Sequence, residues 1–403
     1  MKAFGMNRGM ALIMALVMVG LLAGCGAKGN ETGKPGKATV KENGMVFTQT
    51  ENVGVCTDSD TTDYKKFGNF TEIAEPFALT PGLMEHLVPQ GMDQHDETGN
   101  IYMSGYIKKG EFNPFHKDNP SVVVMMDASG ELKAEYTMYY ADGRAFESHM
   151  GGVAVSKDTM FVSASQKKDA NGDPTYWVAA IPLAELVTEG HQDVRIDTFY
   201  QVPVQPSWLN YSNGILWVGN FYLEGNDSYQ APVTIGGVRA ETDKEDFASY
   251  ILGYDLSEKG AARMETVVGE PMMPDADKVY ATTDRIQGMT MLGDGRIVLS
   301  QSYGRKNNAQ LLVYDPSMAS VKTISIDGNE YDCVMLEKKV CRDHLYMTMP
   351  MTEGITVKDD GSGLEVLVLY ESGSILYSGD GTYDTNAGKF RTDYIWKMSV
   401  PEK

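Results

Sequence analysis

The chain is short of cysteine, of positive charge and of long helical or apolar stretches. Its 403 residues include four cysteines, Cys25, Cys56, Cys333 and Cys341, and no two form a C-x-x-C pair. That spacing excludes a zinc ribbon and a thioredoxin-type site. Lysine and arginine number 35 against 55 aspartates and glutamates, a formal charge of −20. So acidic a surface argues against nucleic acid and against a polybasic lipid contact, and suits an exported soluble domain. No long amphipathic helical period is present; the best candidate, Leu183 to Thr188 after Pro182, is a turn or two. The 25 methionines sit where leucine would usually pack, without the clustered M-x-x-M runs that copper binding needs.

One apolar run does stand out. Residues 9 to 24 carry no charge and follow a short basic stretch with Lys2 and Arg8. The run is too short for a bilayer core, which takes about 20 apolar residues, and fits a secretory signal. It ends Leu22-Ala23-Gly24-Cys25, which resembles the lipobox of bacterial lipoproteins. The resemblance implies cleavage before Cys25, diacylation of its thiol and attachment to membrane lipid on the extracytoplasmic side. Gly26 to Gly44 is glycine-rich with almost no apolar residue, a flexible tether with a reach on the order of 25 Å. The expected organisation is a signal peptide over 1–24, a lipidated cysteine and tether over 25–44, and a folded domain over 45–403.

Within that domain one pattern returns five times. A small or polar residue, usually glycine, an apolar strand, a tight turn and a second strand start near Pro89, His149, Pro206, Ile286 and Thr352. Aligning Gly91, Gly152, Trp208, Gly288 and Gly354 spaces the copies by between 56 and 80 residues. Turns such as Ser212-Asn213-Gly214 and Gly293-Asp294-Gly295 read as hairpins. Two further strands follow in most units, at Ser121–Met126 and Leu132–Tyr139 after Gly91, and at Gln310–Tyr314 and Val321–Ile326 after Gly288. Repeated four-stranded antiparallel units without intervening helices define an all-β fold, a β-propeller of five blades with six as the alternative. The 80-residue interval holds an insertion at 224–247, and a second insertion, around Tyr331 to Met349, holds Cys333 and Cys341. Those two cysteines are placed to close a short disulfide loop across a hairpin, leaving Cys56 unpaired. The last unit lacks an outer strand, and Phe70 to Leu79 is its natural donor, which hides two sheet edges.

The repeat resembles secreted bacterial β-propellers of the broad class that includes YncE-like, gluconolactonase-like and phytase/esterase-like proteins. That likeness is one of architecture and transfers no catalytic residue. In such a ring the starts of the innermost strands converge at one mouth of the central channel, which makes Gln90, His149, Ser207, Gln287 and Glu353, with Asp93 and Asn210 two or three positions on, the candidate binding residues of that mouth. The ring suits a carbohydrate, peptide or other small ligand, or a divalent cation such as calcium or magnesium; it equally suits a water-filled channel. Two readings follow. One is a lipid-anchored binding or scaffold protein. The other is an extracytoplasmic hydrolase, either glycosidase-like, with Glu353 and Asp93 or Asp284 as its carboxyls, or lactonase/esterase-like, with Glu353, Asn210 and Asp284 around a cation.

Some local patterns are weaker. The stretch "DANGDP" at Asp169 starts like a calcium loop, but Pro174 stands where glycine is needed. "DQHD" at Asp93 alternates faces on a strand, so its side chains do not converge on one ion. Trp208, Tyr211, Trp217, Phe221, Tyr222 and Tyr229 crowd the third unit, as blade packing or as a surface for sugar rings or a peptide.

Overall fold

The computed structural model describes residues 43–52, 67–107, 120–165, 167–168, 170–172, 174–224, 247, 249–264, 275–326, 329–358, 361–377 and 391–403. Cys25 and Cys56, and most of the insertion in the third unit with Tyr229, lie outside them. Among the described residues no helix is long and apolar enough to cross a membrane.

Five small sheets stand around one axis. The strand β1 (Ala74–Leu79) precedes the first full blade, which is β2 (Leu87–Gln94), β3 (Ile101–Ile107), β4 (Val122–Met126) and β5 (Leu132–Tyr140). Next come β6 (Val153–Val155), β7 (Thr159–Ser163), the two-residue β8 (Lys167–Lys168) and β9 (Pro174–Pro182) of blade two; β10 (Gly190–Ile196) turns back to run parallel to β5, and β11 (Thr198–Val202) completes blade two. Blade three is β12 (Trp208–Ser212), β13 (Ile215–Gly219), β14 (Ser249–Asp255) and β15 (Lys278–Thr282). Blade four starts with β16 (Ile286–Met291), β17 (Ile297–Gln301) and β18 (Ala309–Tyr314). A hairpin of β19 (Ser320–Ile326) and β20 (Asn329–Met335) then leaves it, and β21 (Arg342–Thr348) returns as its outer strand. Blade five is β22 (Thr352–Lys358), β23 (Glu365–Tyr370) and β24 (Tyr394–Ser399), closed by β1 against β24. The expected five blades and the donated outer strand are both present.

Two expectations need correction. The strand expected at Val321–Ile326 is not the outer strand of blade four; it pairs with β20, which runs parallel to β15 and widens blade three to six strands. The supposed insertion from Tyr331 to Met349 therefore supplies β20 and the true outer strand β21. Cys333 and Cys341 are not joined. Cys333 packs with Tyr250 and Leu252 between blades two and three, whereas Cys341 packs with Trp217 and Tyr314 between blades three and four. The six-stranded sheet stands between them, so the hairpin that was to bring the thiols together instead separates them. Burial pushes the Cys333 thiol up to about 12 and the Cys341 thiol up to about 11, which leaves both unreactive.

Each pair of neighbouring blades encloses its own apolar core, so there are five such cores around the axis. A strand inside this ring is buried on both faces, so β4 reads Val-Val-Val-Met-Met with no polar alternation. Toward the axis the packing is of backbone on backbone. A Cβ on Gly91 would sit 2.6 Å from the amide nitrogen of Val153, one on Gly152 2.2 Å from that of Leu209, and one on Gly354 2.5 Å from that of Met92. In blade three the glycine has moved to the partner strand: Trp208 faces Gly219, where a Cβ would lie 1.9 Å from the indole. The repeated glycine is thus the residue that lets inner strands touch.

Ahead of the first blade, Val46 and Phe47 donate their amides to the buried Glu135 carboxylate of β5, at 2.9 and 2.6 Å. The fully buried Arg296 guanidinium binds Asp294, Asp343 and the carbonyl of Pro401.

These contacts grade a pair of substitutions. Gly152→Ala forces a methyl into an immovable backbone and should cost roughly 3 kcal/mol or more. Gly288→Ala meets its nearest neighbour at 3.1 Å and should cost about 1 kcal/mol or less. Chemical denaturation of both variants checks this; equal losses would contradict it.

Candidate functional site

The inner strands of blades one, four and five do not run straight into the axis. Their ladders slip between Pro89 and Met92, between Ile286 and Gly288, and between Thr352 and Ile355. Bulges of this kind re-aim the side chains they hold, here Gln90, Gln287 and Glu353. Just ahead of four inner strands a non-glycine residue takes the left-handed region: His86, Met150, Arg285 and Met351. Such conformations cost of order 1–3 kcal/mol each and gather at functional sites.

The result is a cavity of about 590 Å³ at one mouth of the ring. Gln90, His149, Ser207, Gln287 and Glu353 all line it, joined by Glu371, Tyr377, Arg305, Tyr106, Tyr303, Phe221 and Gln205. Asp93 and Asn210 do not. They lie beneath its floor, fully buried, where the Asp93 carboxyl accepts from the amides of Val155 (2.8 Å) and Tyr211 (2.9 Å), from Asn210 Nδ2 (3.0 Å) and from Thr356 Oγ1 (2.8 Å). Those partners belong to blades two, three and five. Protein therefore fills the axis at this level, and the mouth is a closed-bottomed pocket rather than the head of a water-filled channel.

Two carboxyls dominate the pocket wall. Glu353 Oε1 accepts from Gln287 Nε2 at 3.3 Å. Glu371, at the end of β23, accepts at Oε2 from Gln90 Nε2 (3.1 Å) and from the Tyr377 hydroxyl (3.3 Å). Burial pushes Glu371 up to about 7, against the pull of Tyr377, Arg305 and Gln90. Burial, and then the charge of Glu371, holds Glu353 well above the usual carboxylate range. The Arg305 guanidinium lies 4.9 Å from the centre of the Tyr377 ring. Across the pocket Tyr106 and His149 pack at 4.8 Å, and burial keeps the imidazole of His149 neutral by lowering its pKa. Phe221 and Tyr303 stand 6.2 Å apart, with Tyr303 at the exposed rim.

Glu371, Tyr377 and Arg305 escape sequence reasoning because they lie past strand ends, outside the repeated motif; the one available signal is that "LYES" sets a glutamate at the end of an otherwise apolar strand. Of the carboxyls first paired with Glu353, Asp93 is spent on its four donors. Asp284 is not on the pocket wall and bonds Arg285 and Gln301 instead. Asn210 gives its amide to Asp93 and accepts from Ser212, so Glu353, Asn210 and Asp284 are not one ligand set for calcium or magnesium. Among the described residues no three His, Cys, Asp or Glu side chains are grouped for a metal. His95 of "DQHD" bonds Thr98 and the Lys157 carbonyl, and Asp169 and Asp173 lie outside the described residues. Trp208 and Trp217 are blade packing, whereas Phe221 reaches the pocket.

Fold and site together define a five-bladed propeller with a polar, aromatic-walled pocket at its mouth. The sequence matches no protein-family model and no curated protein. Among solved structures the chain is similar to the PQQ-bound aldose sugar dehydrogenase of Streptomyces coelicolor, at 12% identity over 82% of this chain and 97% of that one, with a TM-score of 0.39. It is also similar to a putative gluconolactonase, at 8% identity over 81% and 91% with a TM-score of 0.26. A third likeness is to hydrazine synthase of Kuenenia stuttgartiensis, at 12% over 70% of this chain, with a TM-score of 0.32; the chain spans about half, 55%, of that protein. Likeness at this level carries no argument about chemistry.

The buried carboxyls set a pH dependence with a definite sign. The folded-state values of Glu353, Glu371 and Asp93 are raised, the last to about 8. Each group ionises more easily in the unfolded chain, so stability falls as pH rises from the ordinary carboxylate range, about 4–4.5, through 7 to 8. The melting temperature should be several degrees higher at pH 5.5 than at pH 8. Glu371→Gln should flatten that slope more than Glu189→Gln, an exposed control. A slope unchanged by Glu371→Gln would contradict the assignment.

Proposed function

We propose that this is a membrane-anchored, extracytoplasmic binding protein whose propeller seats a hydroxyl-rich small molecule of the carbohydrate class in the mouth pocket. One observation carries the reading. The pocket presents planar hydrogen-bonding groups, the amides of Gln90, Gln205 and Gln287 and the carboxyls of Glu353 and Glu371, between the aromatic faces of Tyr106, Tyr303 and Tyr377. Amide and carboxyl groups accept from and donate to neighbouring hydroxyls, and aromatic faces cover the C–H faces of a sugar ring. Arg305 already sets a cation beside Glu371 and Tyr377, so the occupant needs no positive charge of its own. The anchoring rests on the sequence pattern at Cys25, with the acyl chains buried in the membrane at roughly 0.8 kcal/mol per methylene.

Two measurements on the full chain test this. Titration calorimetry against a panel of mono- and oligosaccharides should find at least one ligand, and Gln287→Ala or Tyr303→Ala should weaken it about tenfold or more. If no saccharide binds while peptides or amines do, the ligand class is wrong. Cys25→Ser should move the protein from the detergent phase to the aqueous phase on phase partitioning; an unchanged partition would remove the anchor.

A further inference from the structure

We propose that the mouth pocket also hydrolyses a glycosidic bond, with Glu353 as the proton donor and Glu371 as the base. This rests on the carbohydrate reading above and adds chemistry to it. Glycoside hydrolysis needs two carboxyls facing one another across the scissile bond, about 5–10 Å apart. Here Thr352 of β22 pairs with Tyr370 of the antiparallel β23; Glu353 follows the first and Glu371, just past the end of β23, follows the second, so the two lie diagonally on either side of that pair. The bulge at Glu353 turns its side chain out of the ladder, and both carboxyls line the same pocket.

Each carboxyl has one oxygen engaged and one without a hydrogen bond from any described residue. Glu353 Oε1 is held by Gln287, and Glu371 Oε2 by Gln90 and Tyr377. Neutral donors thus fix both groups in orientation while leaving an oxygen of each to meet substrate or water.

The surroundings assign the roles. Glu371 faces the Arg305 cation and two donors, all of which favour its charged form, so it ionises first. Glu353 has a single amide donor and faces Glu371's charge, so it keeps its proton longer. A pair of carboxyls whose environments drive them apart in this way separates acid from base. The remaining titratable groups on the wall, besides Arg305, are His149, whose pKa burial lowers, and the phenols of Tyr106, Tyr303 and Tyr377.

The step balances with water as the one co-reactant. Glu353 gives its proton to the glycosidic oxygen as the bond from that oxygen to the anomeric carbon breaks. A water oxygen forms the new bond to the anomeric carbon and passes a proton to Glu371. The products are two hydroxyl-bearing fragments, and nothing is oxidised or reduced. Proton transfer from Glu371 back to Glu353, directly or through water, restores the starting state.

The test uses the full chain with a panel of para-nitrophenyl α- and β-glycosides of glucose, galactose, mannose, xylose and arabinose. At least one should release nitrophenol, with kcat/KM bell-shaped in pH and its lower limb set by Glu371. Glu353→Gln and Glu371→Gln should each lower kcat by about 100-fold or more, a loss of turnover at saturating glycoside and not of KM alone. Thermal melts of both variants confirm that a loss is not unfolding. A glycoside that binds but is not cleaved overturns this proposal and leaves the binding reading standing. Cleavage that survives both substitutions overturns the residue assignment, and a panel that neither binds nor reacts overturns both readings.

Discussion

Asp93 holds the ring together from inside. Its carboxyl is fully buried and accepts four hydrogen bonds that come from blades two, three and five. Blade four joins the same layer through the Val357 amide, which donates to Thr290 Oγ1 at 3.1 Å. Removing a carboxyl from water is expensive, and burial pushes Asp93 up to about 8; the four donors offset that cost only because they are all present at once. They are present because backbone meets backbone at Gly91, Gly152 and Gly354. Glycine brings the inner strands within reach, and the carboxyl then links them.

That arrangement decides what kind of site the mouth is. With the axis filled at the level of Asp93, the pocket above it has a floor. Ser104 Oγ reaches the Met150 carbonyl and Ser300 Oγ the Glu353 carbonyl, both from the second strand of the preceding blade. The backbone that carries the pocket's side chains is thus held from the neighbouring blade. Bulges then aim Gln90, Gln287 and Glu353 inward. A rigid floor and fixed amides let two carboxyls share a small volume in which their repulsion is felt.

How much of this the sequence shows depends on which force places each residue. The blades are legible because both-face burial writes uninterrupted apolar strands and because close approach writes glycine at a fixed place. Trp208 at that place is also intelligible, since Gly219 yields the space its indole takes. Gln90, Ser207, Gln287 and Glu353 each stand one residue before the aligned glycine or tryptophan, so their convergence follows from the period, and His149 joins them from three residues before Gly152. Asp93 lies two residues past the aligned Gly91, and its depth is set by tertiary closure, which no local pattern encodes. Glu371, Tyr377 and Arg305 come from irregular connections whose lengths differ between blades. The β19–β20 hairpin misleads because a strand with outer-strand character satisfies the edge of either neighbouring sheet, and a parallel pairing leaves no turn to announce it. The cysteine pair misleads for the same reason, since the sheet that separates the thiols includes that hairpin.

The central claim is that one buried carboxyl closes the ring and thereby sets the pocket's floor. Chemical denaturation of Asp93→Ala tests it most directly. The substitution strands the amides of Val155 and Tyr211 and the side chains of Asn210 and Thr356, at about 1–3 kcal/mol each when buried and unpaired. A loss of at least about 3 kcal/mol, or failure to fold, is the expected result. A variant within about 0.5 kcal/mol of the parent would show that the propeller closes without its central carboxyl.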